Sequence, residues 1–387
     1  MRVTHVITRL IIGGAQENTI ATVLGLNAIP GVHSDLLAGP TRGPEGSLES
    51  AFSDAPNTLA IVPSLVRPVH PLKDVLALLR LTKIFRASHP DIVHTHSGKA
   101  GTLGRWAAHR AGVPVIVHTI HGPSFGPFQG TLANAVFTRA ERFAGKFTTH
   151  FVSVADAMTR QYLAAGIGRP AQYSRVFSGF RLEPFLSTKN DPTLRAKLGI
   201  APDDFVVGKI ARLFKLKGHD DLIAVAPEIL RQCPRAKFLL VGDGSLRGRL
   251  QSRVRALGIE KRFVFAGLVP PGEVPRYVGI MDALAHLSLR EGLPRALPQA
   301  LAAGRPVVAW DCDGACEICI DDETGFLLPP GDLPGLSRRI VQLAGDAGLR
   351  KRLGRRGQEL VRRNFSVESM VDSLHTLYVK LMAQRES

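Results

Sequence analysis

Residues 291–310, EGLPRALPQALAAGRPVVAW, combine a carboxylate, a Gly-Leu-Pro turn, a helical run and an apolar β-branched run that begins at Val307. This order predicts a helix followed by a strand. It places Glu291 beside the backbone N–H groups at a helix start, where an oxyanion or a sugar hydroxyl can bind. Gln299, eight positions on, is then expected about two turns further along the same helical face.

The same alternation of short apolar runs and helical stretches extends over the whole chain. Such runs are typical of strands buried on both faces of a parallel sheet, and the alternation predicts helices on each side. We therefore predict an α/β protein. The predicted strands cover residues 3–8, 91–96, 113–119 and 151–154 in the first half, and 206–210, 237–241, 262–266 and 306–310 in the second.

The length of 387 residues is enough for two domains. Residues 180–192 contain two prolines and no periodicity, which makes them the best linker candidate. We expect an N-terminal domain over 1–185, a C-terminal domain over 186–365 and a final helix over 366–387. An apolar stripe at intervals of three and four predicts that this helix packs on the body of the protein. The stripe consists of Met370, Leu374, Leu377, Tyr378 and Leu381.

The chain is basic, with 49 lysines and arginines against 33 acidic residues and a net charge of +16. Three interpretations are open: an ordinary solvated surface, an anionic membrane face or phosphorylated ligand, and nucleic acid. An aromatic content of 6% and the lack of a nucleic-acid-binding motif argue against nucleic acid as a partner.

Localisation is inferred from apolar runs and cysteines. No uninterrupted apolar run reaches the roughly 18 residues of a membrane span, and His5 and Arg9 interrupt any signal-peptide core. Four cysteines are too few for a disulfide scaffold. We expect a cytoplasmic protein, peripheral at the inner face of the cell membrane.

A glycine turn, Gly13-Gly14-Ala15-Gln16, follows the first predicted strand and precedes a helical run. A strand, a tight turn and a helix N-terminus together form a site suited to phosphate. The alternative is a plain turn that requires small residues.

Histidines end two predicted strands, His94 and His96 the first, His118 and His121 the second. Carboxyl ends of strands in a doubly wound sheet face the ligand crevice. His94 and His96 point to one face, a spacing that metal hydrolases also use, but no carboxylate motif accompanies them. Buried, hydrogen-bonded histidines are the favoured alternative. His121 is the best ligand candidate because Gly122-Pro123 marks a loop that leaves the sheet.

Three cations, Arg212, Lys215 and Lys217, follow the strand at 206–210. Fixed cations at this place can neutralise a leaving diphosphate without a metal; the alternative is a solvated basic loop. A second glycine turn, Gly242-Asp243-Gly244, follows the next strand and is also expected to face the crevice.

Cys312, Cys316 and Cys319 have the C-x3-C-x2-C spacing of some iron–sulfur sites. The motif falls late in the second half of the chain, so buried free thiols are the favoured interpretation.

These motifs, in this order, resemble those of the retaining glycosyltransferase family 4, whose GT-B fold has two Rossmann-like domains facing across a deep cleft. The resemblance runs along nearly the full length. It is carried by Gly13-Gly14-Ala15-Gln16, residues 90–122 including Ser97-Gly98-Lys99-Ala100-Gly101, Phe151-Val152-Ser153-Val154, residues 212–218, Gly242-Asp243-Gly244, residues 291–299, and Asp313-Gly314 with Glu317.

The resemblance implies transfer of a sugar from a nucleotide-diphosphate sugar to a glycan or lipid-linked acceptor. Configuration would be retained, with no metal and no cofactor, in polysaccharide or lipopolysaccharide synthesis. The C-terminal domain would hold the donor and the N-terminal domain the acceptor.

It also implies roles for single residues. His121 would touch the sugar, Arg212 and Lys217 the diphosphate, and Glu291 the donor sugar. The expected substrate-binding residues are Gly13, Gly14, Gly242, Asp243, Gly244, Gly292, Leu293, Pro294 and Gln299.

Two positions depart from the family pattern. Gln299 stands where the family usually has a glutamate that binds ribose hydroxyls, and an amide can still hydrogen-bond a diol. Ser178-Gly179-Phe180-Arg181 replaces the usual Asn-Gly-Val-Asp turn. Alternatives from other classes are a nucleotide-sugar epimerase or phosphorylase, and a non-catalytic basic protein that binds through the arginine-rich stretch 350–363.

Overall fold

The computed structural model describes residues 1–41, 46–96, 98–126 and 128–386. Ser97, part of one of the motifs above, and Ser387, the last residue of the predicted final helix, lie outside the described residues. The contacts divide the chain into unit 1, which is Met1–Phe180 with Val367–Ser387, and unit 2, which is Arg181–Ser366.

Unit 1 is built on a parallel sheet that, in the described residues, has seven strands in the order β3-β2-β1-β4-β5-β6-β7. Strand β4 is buried at every position, as expected for a sheet covered on both faces. The elements are β1 Arg2–Ile7, α1 Gly14–Asn27, β2 His33–Ala38, β3 Leu59–Ile61, α2 Pro71–Ser88, β4 Ile92–His96, α3 Gly98–Ala111, β5 Val115–Ile120, α4 Thr131–Gly145, β6 His150–Ser153, α5 Asp156–Ala164 and β7 Tyr173–Arg175.

The last helix of the chain, α14 (Val367–Glu386), belongs to unit 1. All five residues of its predicted apolar stripe are buried in one core with residues of α1, β1, β4 and β5, among them Val3, Leu26 and Ile92. Burial of a side chain of this size contributes about 1.5–3 kcal/mol relative to exposure. The stripe is therefore a main source of the stability of unit 1.

Unit 2 has a second parallel sheet, in the order β10-β9-β8-β11-β12-β13. Its core includes Phe238, Trp310 and Phe326. The elements are α6 Glu183–Leu186, α7 Pro192–Lys197, β8 Phe205–Ile210, α8 His219–Gln232, β9 Ala236–Val241, α9 Arg247–Ala256, β10 Phe263–Gly267, α10 Val274–Gly279, β11 Ala283–His286, α11 Ala296–Ala302, β12 Val307–Trp310, β13 Gly325–Leu328, α12 Leu333–Gly345 and α13 Ala347–Asn364.

The prediction of an α/β protein with parallel sheets is confirmed, and each predicted strand overlaps a strand of the structure. Five strands, β2, β3, β7, β11 and β13, were not predicted. Strands β3, β7 and β13 are short and lie at sheet edges, β11 is rich in alanine, and β2 begins with the polar residues His33, Ser34 and Asp35. Residues 180–192 are not aperiodic throughout, since they include the short helix α6. The contacts divide the chain after Phe180, slightly before the predicted boundary near 185.

Candidate active site

The order of the strands locates a crevice in unit 2. The chain adds β9 and β10 on one side of β8, and then crosses to β11, β12 and β13 on the other. In open parallel sheets, ligands bind outside the carboxyl ends of the strands at such a reversal. Lys217 follows β8 and Glu291 follows β11, so the topology brings both to this place.

Lys217 and Glu291 form an ion pair, Nζ to Oε1, and both side chains are half-buried. The Lys217 ammonium also donates to the Arg290 carbonyl oxygen at 3.3 Å. Burial is the largest single influence and acts to raise the pKa of Glu291, but the Lys217 ammonium, His286 and Ser288 together outweigh it, and the pKa lies below its ordinary value. Glu291 is therefore a carboxylate at neutral pH, held at the crevice beside a cation.

The backbone on either side of Lys217 explains its position. Leu216 and Gly218 both have a φ of 66°, in the left-handed region. The Leu216 carbonyl oxygen accepts the Leu289 N–H at 2.8 Å, and a Cβ on Gly218 would overlap the Leu287 carbonyl oxygen. The loop after β8 is thus joined to the loop after β11, and only glycine fits at 218.

Asp313, which follows β12, fixes the backbone of Glu291. Its Oδ2 accepts the Glu291 N–H at 2.7 Å, and the Gly314 N–H donates to the Gly292 carbonyl oxygen at 3.2 Å. Asp313 itself has a φ of 52°. The three loops that follow the adjacent strands β8, β11 and β12 are therefore joined to one another by hydrogen bonds.

Glu291 does not lie on a helix, which corrects the prediction that it shares a helical face with Gln299. Helix α11 begins at Ala296, and Gly292, Leu293 and Pro294 form the turn that precedes it. The prolines at 294 and 298 have no backbone N–H to donate. The backbone of this segment is held instead by the hydrogen bond from the Glu291 N–H to Asp313. Gln299 is half-buried in the middle of α11.

Arg212 lies in the loop after β8, and its exposed guanidinium is 5.1 Å from the centre of the Phe214 ring. This loop is joined to the turn after β9, because the Leu213 N–H donates to the Asp243 carbonyl oxygen at 3.0 Å. A Cβ on Gly242 or Gly244 would overlap the backbone of that loop. The two glycines thus permit a close approach, while the Asp243 carboxylate pairs with Arg247 at 2.8 Å.

Two titratable side chains beside the Lys217–Glu291 ion pair were not predicted from the sequence as site residues. Lys209 lies within β8 and is 2% exposed; burial lowers its pKa to about 7, helped by Lys217 and opposed by Asp221 and Glu291. His286 ends β11, with Nε2 3.9 Å from Glu291 Oε1. Burial lowers its pKa to about 3, so the ring is neutral. The sequence feature that could have identified Lys209 and His286 is a polar residue in an otherwise apolar strand.

Unit 1 has its own reversal of strand order, between β1 and β4, and histidines lie there. His5 Nδ1 is 2.9 Å from His96 Nε2, and His96 Nδ1 is 3.1 Å from His121 Nε2. We call these three residues the histidine chain. His94 lies beside it, between Thr119 Oγ1 at 2.6 Å and Tyr378 Oη at 2.5 Å. His118 is hydrogen-bonded to Thr95 at 2.9 Å instead.

Burial keeps the histidine chain uncharged. It lowers the pKa of His5 to about 3 and that of His121 to about 4, and holds the pKa of His96 well below the ordinary value. In a neutral imidazole one nitrogen donates and the other accepts, so the tautomer of each ring sets that of the next. His5 was missed because sequence analysis considered it only as an interruption of a signal peptide.

The donor atoms of His5, His94 and His96 lie within 4.8 Å of one another, a spacing that can hold a metal ion. These rings already bond to one another or to Thr119 and Tyr378. The geometry therefore favours the buried, hydrogen-bonded alternative.

Gly13 and Gly14 lie where β1 leads into α1. Helix α1 begins at Gly14 with Gly13 as its N-cap residue, and glycine has no side chain to cap the amides. The positive end of the helix dipole thus lies at the carboxyl end of β1.

Cys312 and Cys316 are half-buried and Cys319 is buried, all as free thiols. Burial raises the pKa of Cys312 to about 12 and that of Cys319 further. The burial of these thiols fits the interpretation as small hydrophobic side chains.

Two family models match the chain: the glycosyl transferase 4-like domain over residues 14–176 and the glycosyl transferases group 1 domain over residues 190–360. The chain is 28% identical over 328 residues to the Escherichia coli UDP-Gal:alpha-D-GlcNAc-diphosphoundecaprenol alpha-1,3-galactosyltransferase, covering 84% of each chain. It is 29% identical over 320 residues to the putative glycosyltransferase EpsD of Bacillus subtilis strain 168, covering 79% of this chain and 81% of that one.

The fold matches a solved structure of Anabaena Alr3699/HepE in complex with UDP and glucose, with a TM-score of 0.82 and 23% identity. The match covers 98% of this chain and 100% of that one. Within the part of the chain that the structure describes, no helix has the length and apolar character needed to span a bilayer.

These matches confirm the resemblance and the GT-B fold with its two Rossmann-like domains, and they do not favour the epimerase or binding-protein alternatives. The chain is a glycosyltransferase that belongs to the GT-B enzymes, with a glycosyl transferase 4-like domain followed by a glycosyl transferases group 1 domain.

Proposed function

We propose that this glycosyltransferase moves a sugar from a nucleoside-diphosphate sugar to an acceptor hydroxyl, with retention of configuration and without a metal. Unit 2 would bind the donor and unit 1 the acceptor. The observation that carries the proposal is the Lys217–Glu291 pair at the strand reversal of unit 2. An ammonium at such a place can bind a diphosphate, and a carboxylate can accept hydrogen bonds from sugar hydroxyls.

The cations would stabilise the leaving group. Breaking the bond between the anomeric carbon and the phosphate oxygen builds negative charge on the diphosphate. The Lys217 ammonium is held beside the crevice by the Leu216–Leu289 backbone bond, and the Arg212 guanidinium is exposed in the same loop. Preorganised charges of this kind act without reorganisation during the reaction.

Glu291 would face the donor sugar. Its carboxylate is ionised, so it can accept bonds from sugar hydroxyls and stabilise positive character at the anomeric carbon. For retention, the acceptor oxygen would attack on the face from which the diphosphate departs, and a phosphate oxygen would take the acceptor proton. Intact-protein mass spectrometry during turnover tests this step, and a trapped glycosyl-enzyme adduct would contradict it.

In unit 1, His121 would contact the sugar and the Gly13–Gly14 turn the phosphates. With His121 Nε2 bonded to His96, Nδ1 is the nitrogen that can meet a hydroxyl. The name of the Escherichia coli relative specifies a lipid diphosphate acceptor and a UDP-galactose donor. By analogy we propose a UDP-sugar donor and a lipid-linked glycan acceptor, in the synthesis of a cell-surface polysaccharide, at the inner face of the cell membrane.

Nucleoside-diphosphate binding is the direct test. We expect UDP to raise the melting temperature of the protein, since a ligand at 100 times its Kd stabilises the folded state by about 2.7 kcal/mol. Transfer from a UDP-sugar should release free UDP only when acceptor is present, and should persist in EDTA. An epimerase would leave the nucleotide on the sugar.

Lys217→Ala and Arg212→Ala should each lower turnover by about 100-fold, the usual cost of losing one stabiliser of developing oxyanion charge. Lys261→Ala is the matched control, because Lys261 is exposed just before the edge strand β10, at the amino end of that strand and away from the carboxyl ends that form the candidate site. Near-normal turnover in both site variants would contradict the proposal.

A further inference from the structure

Helix α2 exposes a run of large apolar side chains. Leu72, Val75, Leu76 and Leu79 are between 52% and 74% exposed, and Val69, just before the helix, is 73% exposed. The spacing of three and four places the four helical residues on one face. The opposite face of α2, which includes Leu78, Leu81 and Phe85, is buried in the core of unit 1. Single exposed apolar residues are ordinary, but a continuous stripe marks an interaction site.

The rest of that exposed face is cationic. Lys83 and Arg86 continue the line of the stripe into the last turns of α2, and Lys73 and Arg80 flank it. The acid of the helix, Asp74, is paired with Lys99 of α3. The exposed face of α2 is therefore apolar over its first half and positive over its second.

Helix α4 repeats this pattern on the same side of the sheet. It exposes Leu132 at 80%, Val136 at 52% and Phe143 at 42%, with Arg139 between them. Helix α3 packs against both α2 and α4, so the three helices form one layer. The outer faces of α2 and α4 consequently point away from the sheet in the same general direction.

We propose that the exposed faces of α2 and α4 form a docking surface that lies on an anionic lipid bilayer. This inference deepens the proposed function by giving the enzyme the surface through which it reaches a lipid-linked acceptor. The apolar residues would enter the boundary between headgroups and acyl chains, and the cations would contact lipid phosphates.

The composition of the surface favours a bilayer over a protein partner. Lysine is depleted in protein interfaces, whereas interfacial helices combine leucine and phenylalanine with lysine and arginine. The net charge of +16 also favours an anionic surface.

Flotation with vesicles tests the docking surface. The full chain should bind vesicles of phosphatidylcholine with 30% phosphatidylglycerol, and bind pure phosphatidylcholine more weakly. Leu72→Glu with Leu76→Glu should lower the partition coefficient at least tenfold, since each exposed leucine loses its burial in lipid. Leu257→Glu is the matched control, because Leu257 is a 44% exposed leucine of unit 2. It should bind as the unchanged protein does.

The cations are tested separately. Arg80→Gln with Lys83→Gln should lower binding to the anionic vesicles by about fivefold for each charge removed, and should leave binding to pure phosphatidylcholine unchanged. Added salt should weaken binding of the unchanged protein more than that of this variant.

Equal binding by the Leu72/Leu76 variant and the Leu257 control would overturn the proposal. A second result would also overturn it: the unchanged protein does not bind vesicles and is a dimer in sedimentation equilibrium, whereas the Leu72/Leu76 variant is a monomer. The stripe would then join two copies of the chain. The melting temperature of every variant without ligand reports that the fold is intact. Absence of stabilisation by UDP in a protein that still binds vesicles would contradict the proposed function and leave the docking surface supported.

Discussion

Gly218 shows how one residue positions the candidate site. Its φ of 66° and its contact with Leu287 both require glycine, so Gly218→Ala should displace the loop that carries Lys217. Gly199→Ala is the matched control, because Gly199 has a φ of 65° and the described residues leave at least 4 Å of space around an added Cβ.

We expect both variants to lose stability from the strained backbone, about 1 kcal/mol or more. Only Gly218→Ala should also lower turnover, by tenfold or more. Thermal unfolding and initial transfer rates separate the two effects. Equal turnover in the two variants would show that the close approach to Leu287 does not position Lys217.

Sequence reasoning identified Lys217 and Glu291 as single residues, from the loops that follow two apolar runs. It did not identify their ion pair, because 74 residues separate them and the contact depends on the strand order. The tie from Asp313 to the Glu291 backbone and the part of His5 in the histidine chain were missed for the same reason. Contacts across a sheet are set by tertiary packing, which no local pattern encodes.

At the scale of elements, α3 and α4 are joined by a buried ion pair that sequence analysis did not find. Arg105 is fully buried, and its guanidinium donates to Glu141 at 2.6 Å and to the Gly101 carbonyl oxygen at 2.8 Å. Arg105→Met should lower the free energy of unfolding by about 3–5 kcal/mol, since it leaves a buried carboxylate unpaired.

Arg105→Met with Glu141→Leu should recover most of that loss, as apolar pairs replace buried ion pairs at little cost. Arg231→Met, which breaks the exposed pair with Glu228, is the control and should change stability little. Urea unfolding measures all three. If the double variant is as unstable as Arg105→Met, the interhelical bonds matter more than the unpaired charge.

The elements that sequence analysis recovered are those with strong local signals. Strand β12 is a continuous apolar run, and α13 and α14 have clear helical periodicity. Strand β11 reads Ala-Leu-Ala-His, which has low β propensity and depends on pairing with β8 and β12. Because β11 was not predicted, the reversal of strand order that defines the crevice could not be predicted either.

At the scale of the whole molecule, buried neutral histidines make stability depend on pH. Burial lowers the pKa of His5 to about 3 and of His121 to about 4, while the unfolded chain titrates near 6.5. As the pH falls from 6.5 to 4, the unfolded chain binds protons that the folded chain does not. The free energy of unfolding should therefore fall over this range, by up to about 1.4 kcal/mol per pH unit for each such histidine.

Urea unfolding at pH 7.5, 6.0 and 5.0 measures this slope, which gives the number of protons bound on unfolding. His121→Gln should reduce that number by about one at pH 5. A free energy of unfolding that is constant from pH 7.5 to 5.0 would show that these rings are protonated in the folded protein.

Helix α14 has a consequence for biosynthesis. Unit 2 is inserted between the first 180 residues of unit 1 and α14. The residues of unit 2 therefore leave the ribosome before α14, which completes the core of unit 1. Until then Val3, Leu26 and Ile92 lack their partners on α14. We expect the nascent N-terminal region to stay open to chaperones while unit 2 is already able to close, so the enzyme matures in the reverse of its order of synthesis.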